Sequence, residues 1–351
     1  MRPPGGITGG SASGPTLAVV AREACVSVPT ASKVVNGRED VAPDTRRRVT
    51  EALDRLGYVR RVRFDAGRRP ALVDLMVHSL DSSWSGAVLH GAEAAAHEVG
   101  WDVVVSAGLT RSAAGRPERG TLDRIGTRGS SGVLFNLADL TDSQYAWLDQ
   151  RGIPFVMIDP VLEPPPGVYT VGAENLRGGL AATGHLLALG HERIAVIGGY
   201  RRKRCSSARV AGHHAALAAA GIPRRPEYVR YGHFAASGAR SAMLELLDLT
   251  VPPTAVFVCS DAMALGVYAA VAERGLRVPQ DISVVGFDDL PEARWVSPAL
   301  TTVRQPLSAM GAAGLRLLVR LVEGEAPTNA RIELPTELVV RRSTAPPPPV
   351  G

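Results

Sequence analysis

One short segment carries side chains suited to reading the edges of DNA bases. Residues 27–36 read SVPTASKVVN. Helical spacing places a set of mostly polar side chains on one side of this segment: Val28, Thr30, Ser32, Lys33 and Asn36, with Pro29 at their edge. Hydroxyl, amide and ammonium groups exchange hydrogen bonds with base edges in the major groove. We therefore predict that this segment contacts DNA.

Three short helices are predicted to position this segment. The first begins near Leu17 and buries Val20, Ala21 and Ala24, and a tight turn follows at Cys25. Ser27 caps the second helix, which tolerates a proline in its first turn and turns a separate set of residues inward: Ala31, Val34 and Val35. The third spans residues 43–56, ends at Gly57 and buries Val49, Ala52, Leu53 and Leu56. This pattern predicts a helix-turn-helix, and the alternative is a small helical bundle with a polar face.

The charge distribution favours the DNA-binding interpretation. Residues 1–70 hold thirteen Lys and Arg against seven Asp and Glu, a net charge of +6, whereas the whole chain carries +5. The positive charge therefore lies with the small helical unit, where contacts with phosphates need it.

The helical stretch resembles the DNA-binding headpiece of the lactose-repressor (LacI) family. Its matches to the family pattern are Thr16, Leu17, Val20, Ala21, Ala24, Val26, Ser27, Thr30, Ser32, Val34, Asn36, Gly37, Thr45, Arg46, Arg48, Val49, Ala52, Leu56, Gly57 and Tyr58. The departures are Val19, Cys25, Ala31, Lys33 and Ala42. Cys25 replaces a turn glycine, at a position that often needs a left-handed backbone.

The resemblance also implies which residues contact the operator. With the outward positions above, the expected set is Thr16, Ser27, Val28, Pro29, Thr30, Ser32, Lys33, Asn36, Arg46 and Tyr58. In the family, a hinge helix follows and wedges a leucine into the minor groove. Residues 59–70 lack its motif, so we expect either a basic linker or a substitute wedge at Val62 or Phe64.

From residue 71 onward, short apolar runs alternate with amphipathic helical patterns. Seven strand candidates lie at 71–77, 102–106, 132–135, 154–158, 193–198, 254–258 and 282–286. This alternation predicts an α/β core of two doubly wound parallel-sheet lobes around a ligand cleft. The expected divisions are a disordered tail (1–15), the headpiece (16–58), a linker (59–70), a core (71–342) and a second disordered tail (343–351). Within the core, we assign about 71–168 and 304–327 to the first lobe, and about 169–303 and 328–342 to the second.

The core segments resemble the sugar-binding core of LacI-type regulators, which is similar to periplasmic sugar-binding proteins. The segments that carry this likeness are HLLALGHERIAVIGG (185–199), SDAMALGVYAAVAERGLRVPQDISVVGFDDL (260–290) and PALTTVRQPLSAMG (298–311). In such a fold, ligands bind beyond the carboxyl ends of the strands.

Eight residues near predicted strand ends are candidates for binding a sugar: Asp81, Trp84, Asp159, Arg209, Phe234, Ser260, Asp261 and Asp288. Carboxylates accept hydrogen bonds from sugar hydroxyls, an arginine donates a forked pair, and aromatic rings stack on sugar rings. The resemblance supports Asp288 and Arg209 most directly. The other candidates have structural alternatives, since Asp261 caps a helix equally well and Trp84 suits a core.

Other functional classes receive little support from the sequence. Three cysteines lie far apart, His213 and His214 point in different directions on a helix, and no catalytic or metal-binding motif is found, so we expect no cofactor, no metal and no enzyme. No apolar run is long enough for a signal peptide or a membrane span, so a cytoplasmic protein is expected. The RRKR run at 201–204 is expected to be solvated, although beside the cleft it would favour an anionic ligand.

The leading hypothesis is a transcriptional regulator, a repressor, that binds a palindromic operator as a homodimer and responds allosterically to a sugar or oligosaccharide. A corepressor ligand would reverse the sign of the response. The rival classes are a sugar-binding transport protein, a cytoplasmic sugar-binding module without DNA binding, and an enzyme with a doubly wound fold.

Overall fold

The computed structural model describes residues 16–35, 38, 41–56, 71–107, 109, 115–325 and 327–348. The chain divides into two compact units, Met1–Arg69 and Pro70–Gly351. No helix in these described ranges is both long and apolar enough to cross a membrane. The two units are called the headpiece and the core, and helices and strands are numbered along the whole chain.

The headpiece contains the three predicted helices: α1 (Leu17–Glu23), α2 (Val28–Val35) and α3 (Pro43–Leu56). They enclose one small core of buried side chains: Val20, Ala21, Ala24, Ala31, Val34, Val41, Val49 and Ala52. Leu53 and Leu56, predicted to be buried, pack against this core but remain partly exposed. The predicted helix-turn-helix is therefore confirmed.

The turn between α1 and α2 holds Cys25 in the left-handed backbone region, with φ of +52°. The amide of Cys25 donates to the carbonyl of Arg22, and the amide of Val26 donates to that of Ala21. Ser27 then caps α2, because its hydroxyl accepts a hydrogen bond of 3.3 Å from the amide of Thr30. The turn thus has the geometry expected of a glycine, with a side chain added.

We expect Cys25→Gly to stabilise the headpiece by about 1 kcal/mol, because glycine adopts a positive φ without the steric penalty of a Cβ atom. Cys25→Ala is the matched control, since it removes the thiol but keeps the Cβ. Hydrogen exchange of the α1 and α2 amides in the full-length protein measures the difference. Equal protection in the two variants would show that the turn stores no such strain.

The first lobe of the core is built on a sheet with the strand order β11-β5-β4-β3-β1-β2, in which every pairing is parallel. Its strands are β1 (Leu72–Met76), β2 (Asp102–Ser106), β3 (Gly132–Asn136), β4 (Phe155–Ile158), β5 (Thr170–Ala173) and β11 (Arg331–Leu334). Its helices are α4 (Ser83–Val99), α5 (Arg119–Arg128), α6 (Asp142–Gln150) and α12 (Leu307–Val322).

The second lobe is built on a sheet with the order β12-β10-β9-β8-β6-β7, parallel except where β12 pairs with β10. Its strands are β6 (Ile194–Gly198), β7 (Val229–Tyr231), β8 (Ala255–Val258), β9 (Ser283–Asp288), β10 (Thr301–Arg304) and β12 (Glu337–Val339). Its helices are α7 (Asn175–Ala188), α8 (Arg204–Ala219), a 3₁₀ turn (Pro226–Tyr228), α9 (Ala236–Leu247), α10 (Asp261–Glu273) and α11 (Glu292–Trp295). The expected fold class is confirmed.

The predicted lobe boundaries need correction. The sequence predicts that residues 169–173 and 328–334 belong to the second lobe, but β5 and β11 pair with each other in the first sheet. The chain therefore crosses between lobes after β5, between β10 and α12, and between β11 and β12. Periodicity identifies a strand but not its neighbours, and these pairings are made between residues far apart in the chain.

The C-terminal segment was predicted to be disordered from residue 343, and this is wrong for residues 343–348. Ser343 is fully buried; its hydroxyl donates to the carbonyl of Val284 at 2.6 Å and accepts from the amide of Thr301 at 2.7 Å. The amide of Ala345 donates to the hydroxyl of Ser283 at 3.0 Å. The segment supplies hydrogen-bond partners to backbone and hydroxyl groups of the second lobe. Its proline-rich composition gave no indication of these contacts.

Candidate functional site

A cleft of about 320 Å³ lies between the two lobes of the core. This volume suits a small organic ligand, for which pockets of roughly 300–1,000 Å³ are usual. Six of the eight sequence-predicted ligand residues line it: Trp84, Asp159, Arg209, Phe234, Ser260 and Asp288. Because the strands that lead to these residues run parallel within each sheet, their carboxyl ends bring polar residues to this one place.

Arg209 is the most firmly held polar side chain of the cleft. It is 2% exposed and lies inside α8. Its Nε donates to Oδ1 of Asn175 at 2.7 Å, and its Nη1 donates to the carbonyl of Cys259 at 2.6 Å. The guanidinium group also lies over the ring of Phe287, 3.7 Å from its centroid. These contacts fix the guanidinium plane before any ligand arrives.

Asp288 ends strand β9 and pairs with Arg209, with 3.3 Å between Oδ1 and Nη1. The same oxygen accepts a hydrogen bond of 2.6 Å from Nε2 of Gln305, on the crossing between β10 and α12. Burial raises the pKa of Asp288 to about 6, and Arg209 and Gln305 oppose that rise. The carboxyl group is thus charged near neutrality and close to titrating.

Asp159 faces this pair from the end of β4 in the first lobe. Its backbone has a φ of +46°, and its side chain is 5% exposed. Burial raises the pKa of Asp159, and the positive charges of Arg209 and Arg204 oppose that rise. The cleft therefore has carboxyl groups from both lobes, suited to accept hydrogen bonds from hydroxyl groups.

Aromatic side chains form one wall of the cleft. The rings of Tyr200 and His233 stack with 4.9 Å between centroids, and Phe234 lies 6.4 Å from Tyr200. Trp84 also lines the cleft, from the first turn of α4, and it packs against the core of the first lobe. Flat apolar faces beside hydrogen-bonding groups match the two surfaces of a sugar ring.

Left-handed backbone conformations concentrate at this cleft. Among the described residues outside glycine, seven have positive φ, and five of them line the cleft: Leu137, Asp159, His233, Phe234 and Asp288. Such conformations cost energy and are typical of functional sites, where the surrounding structure enforces them. The positions of the cleft side chains are therefore specified by the fold rather than by local preference.

Two predicted ligand residues do not line the cleft. Asp261 is fully buried, and its carboxylate accepts hydrogen bonds from Thr302 Oγ1 at 2.6 Å and from the amide of Leu290 at 2.9 Å. Asp81 is exposed and accepts from the hydroxyl of Ser79. Asp261 does not cap α10 either, because the hydroxyl of Ser260 accepts the hydrogen bond of 3.2 Å from the amide of Met263. The carboxylate oxygens of Asp261 are instead used for contacts within the second lobe.

Sequence reasoning missed Tyr200 and His233, and it considered Lys203 only as part of the run 201–204; all three line the cleft. The available signal was position: Tyr200 and Lys203 follow β6, and His233 follows β7. Gly199 permits the close packing here, since a Cβ atom at this position would lie 2.1 Å from the ring of Phe234.

The headpiece presents the predicted DNA-contacting side of α2. Val28, Pro29 and Lys33 are exposed and Thr30 and Ser32 are partly exposed, whereas Ala31 and Val34 are buried, as predicted. Ser27 and Thr16 are exposed at the starts of α2 and α1. Nη2 of Arg46 donates to the carbonyl of Arg38 at 2.6 Å, so this arginine also holds the segment after α2. Asn36, Tyr58, Val62 and Phe64 lie outside the described residues.

Comparison with known proteins accounts for both units. Residues 16–61 match the family described as bacterial regulatory proteins of the lacI type, and residues 183–344 match a periplasmic binding protein-like domain. The HTH-type transcriptional regulator CelR of Thermobifida fusca is 36% identical over 338 residues, which cover 94% of this chain and 98% of CelR. The chain belongs to the LacI family.

Two solved structures extend the likeness of this LacI-family protein to the whole fold. A CelR–cellobiose complex superposes with a TM-score of 0.69 at 33% identity, over 94% of this chain and 99% of that one. The lac repressor dimer bound to operator and the anti-inducer ONPF gives 0.74 at 29% identity, over 95% and 100%. This LacI-family protein is therefore a DNA-binding transcriptional regulator, and the relatives named here are regulators rather than enzymes or transport proteins.

Proposed function

We propose that this regulator is a repressor whose affinity for operator DNA is controlled by a sugar or oligosaccharide bound between the two lobes. The observation that carries the proposal is the fixed Arg209–Asp288 pair facing Asp159 across the cleft, beside an aromatic wall. The arginine donates to hydroxyl groups and the carboxylates accept from them. The cellobiose complex of CelR supports this choice of ligand class.

A ligand in the cleft can control operator binding because it contacts both lobes. Trp84 and Asp159 belong to the first lobe, whereas Arg209, Phe234 and Asp288 belong to the second. A ligand that touches both sets favours one arrangement of the lobes over others. If operator DNA favours a different arrangement, each ligand weakens the binding of the other.

On the DNA side, we infer that α2 enters the major groove and that a homodimer binds two half-sites of a near-palindromic operator. The lac repressor relative was solved as a dimer on its operator, which supports this assembly. Val62 and Phe64 remain proposed minor-groove wedges, and Tyr58 and Asn36 remain proposed DNA contacts. A bacterial regulator of this kind acts in the cytoplasm, and we propose no catalytic activity for it.

Titration of a labelled library of palindromic operators, with and without a panel of sugars that includes cellobiose, tests the proposal. We expect selective binding to one operator class and its release by one sugar or oligosaccharide. Tighter DNA binding in the presence of the sugar would instead establish a corepressor. Sugar binding without any operator selection would favour a sugar-binding module that does not regulate transcription.

The affinity for the effector is expected to fall about tenfold between pH 7 and pH 5. The pKa of Asp288 is raised to about 6, so its carboxylate takes up a proton over this range and loses its capacity as a charged acceptor. The pKa of Asp288 is higher in the folded protein than in the unfolded chain, so protonation of Asp288 favours the folded state. The stability gained from this protonation is lost as pH rises through about 6. Weaker binding at pH 5 is therefore not explained by unfolding at this site.

Calorimetric titration of the effector at pH 5, 6 and 7 measures this dependence. Asp288→Asn should bind weakly at every pH and show a shallower pH dependence, with the remainder coming from Asp159, whose pKa burial also raises. An unchanged pH profile in this variant would assign the titration to another group.

A further inference from the structure

The basic run at residues 201–204 is divided by the fold into side chains with different surroundings. Arg201 lies over the ring of Tyr231, with 4.3 Å from Cζ to the ring centroid. Arg202 is exposed, and Arg204 pairs with Glu163 at 2.6 Å. Lys203 alone of the four lines the cleft. The sequence predicts that this run is solvated, but its four side chains have different surroundings in the structure.

Lys203 has no hydrogen bond or ion pair to its ammonium group among the described residues. Nζ lies 5.2 Å from the ring centroid of Tyr200 and 5.6 Å from that of Phe234. These distances are within the range of cation–π attraction, which holds the ammonium group at the aromatic wall. Burial lowers the pKa of Lys203, and the neighbouring Cys205 and Asp159 oppose that shift without cancelling it.

The two carboxyl groups of the cleft, Asp288 and Asp159, interact with other groups more strongly than with Lys203. Asp288 is bonded to Arg209 and to Gln305, at 3.3 and 2.6 Å. Asp159 lies in the field of three cations, of which Arg209 and Arg204 lower its pKa more than Lys203 does. Asp288 is thus held by Arg209 and Gln305, whereas the ammonium group of Lys203, although near Asp159, makes no hydrogen bond or ion pair among the described residues.

We propose that Lys203 determines the chemical class of the effector by binding an acidic group carried on the sugar. This inference rests on the proposed function, because it concerns the same cleft. The sugar ring lies against the aromatic wall, its hydroxyls bond to Arg209, Asp159 and Asp288, and its acidic group meets the ammonium of Lys203. A uronate and a sugar phosphate share this chemistry, and charge-assisted hydrogen bonds of this kind are stronger than neutral ones.

Matched neutral and acidic sugars test the proposal on the full-length protein. The pairs are glucose with glucuronate, and cellobiose with the same disaccharide oxidised to an acid at C6; glucose 6-phosphate distinguishes a phosphate from a carboxylate. We expect the acid of at least one pair, or glucose 6-phosphate, to bind at least tenfold more tightly than its neutral counterpart. Calorimetry supplies the affinities, and release of labelled operator supplies a second readout.

Three variants assign this preference to Lys203. Lys203→Met should reduce the ratio of acid to neutral affinity to below about twofold, and Lys203→Arg should restore most of it. Arg202→Met is the matched control, since it removes a neighbouring positive charge that does not line the cleft. Raising the salt concentration should narrow the wild-type ratio less than expected for an exposed pair, because the ammonium is partly buried.

Two results would overturn the inference. Wild-type protein that binds and responds to a neutral sugar with no preference for any acid would refute it while leaving the proposed function intact. An acid preference that persists in Lys203→Met would assign the selection to another cation. Failure of every sugar to bind or to release operator would count against the proposed function as well.

Discussion

Replacing Arg209 with methionine is expected to destabilise the core by about 3–5 kcal/mol at pH 7 and to abolish the response to the effector. The substitution leaves the Asp288 carboxylate buried and short of its cation, and it removes a donor from Cys259 and from Asn175. Uptake of a proton by Asp288 limits this loss, since its pKa already lies near 6. Urea unfolding of the core and effector-induced release of operator measure the two effects.

Two further variants test whether burial of the Arg209–Asp288 pair is the reason for the expected loss of stability. Arg274→Met removes an exposed partner of Asp248, and we expect little change in the free energy of unfolding, because water screens an exposed pair. Combining Arg209→Met with Asp288→Asn should cost less than the sum of the single substitutions, because no buried charge is then left unpaired. A core that tolerates Arg209→Met as easily as Arg274→Met would contradict the structural role given to this arginine.

Lys33→Met is expected to weaken operator binding about 100-fold, because α2 contributes this side chain to each of two half-sites and base contacts contribute roughly 1–3 kcal/mol each. Lys33 is exposed on α2, as are Val28 and Pro29. Fluorescence anisotropy with the selected operator and with a scrambled duplex, at several salt concentrations, measures specific and non-specific affinity separately.

Arg55→Met is the matched control, since it also removes one positive charge from the headpiece. Arg55 lies near the end of α3 and pairs with Glu23 at 2.7 Å, away from α2 in the chain. We expect both variants to lose a similar, small amount of non-specific affinity, but only Lys33→Met to lose selection of the operator. Equal specific losses would mean that Lys33 acts through its charge alone.

Local chemistry in the sequence was sufficient for the headpiece. Apolar spacing placed Val20, Ala31 and Val49 in its core, Ser27 capped α2 as predicted, and the doubt about Cys25 corresponds to a left-handed turn. These features depend on residues close together in the chain, so a pattern a few residues long predicts them. The same reasoning gave the alternation of strands and helices in the core, and with it the fold class.

Which of the predicted residues line the cleft depends on the tertiary structure. Asp261 and Asp288 both follow or end strands of the second lobe, yet the first is used inside the lobe and the second faces the cleft. The difference arises from Thr302 and Leu290, which are distant from Asp261 in the chain and meet its carboxylate only in the folded core. The assignment of β5 and β11 to the first sheet likewise depends on a pairing between residues that are far apart in the chain.

The sequence by itself therefore determined the helix-turn-helix, the two-lobe class and the strongest ligand candidates, Arg209 and Asp288. Only the tertiary structure brought Tyr200, Lys203 and His233 to one wall and left the ammonium of Lys203 beside aromatic rings. The physical reason is that burial and charge compensation depend on which segments meet across the cleft. The pairing of β6 with β7 brings the loops of this wall together, and the three crossings of the chain between the lobes decide which residues of the first lobe face them.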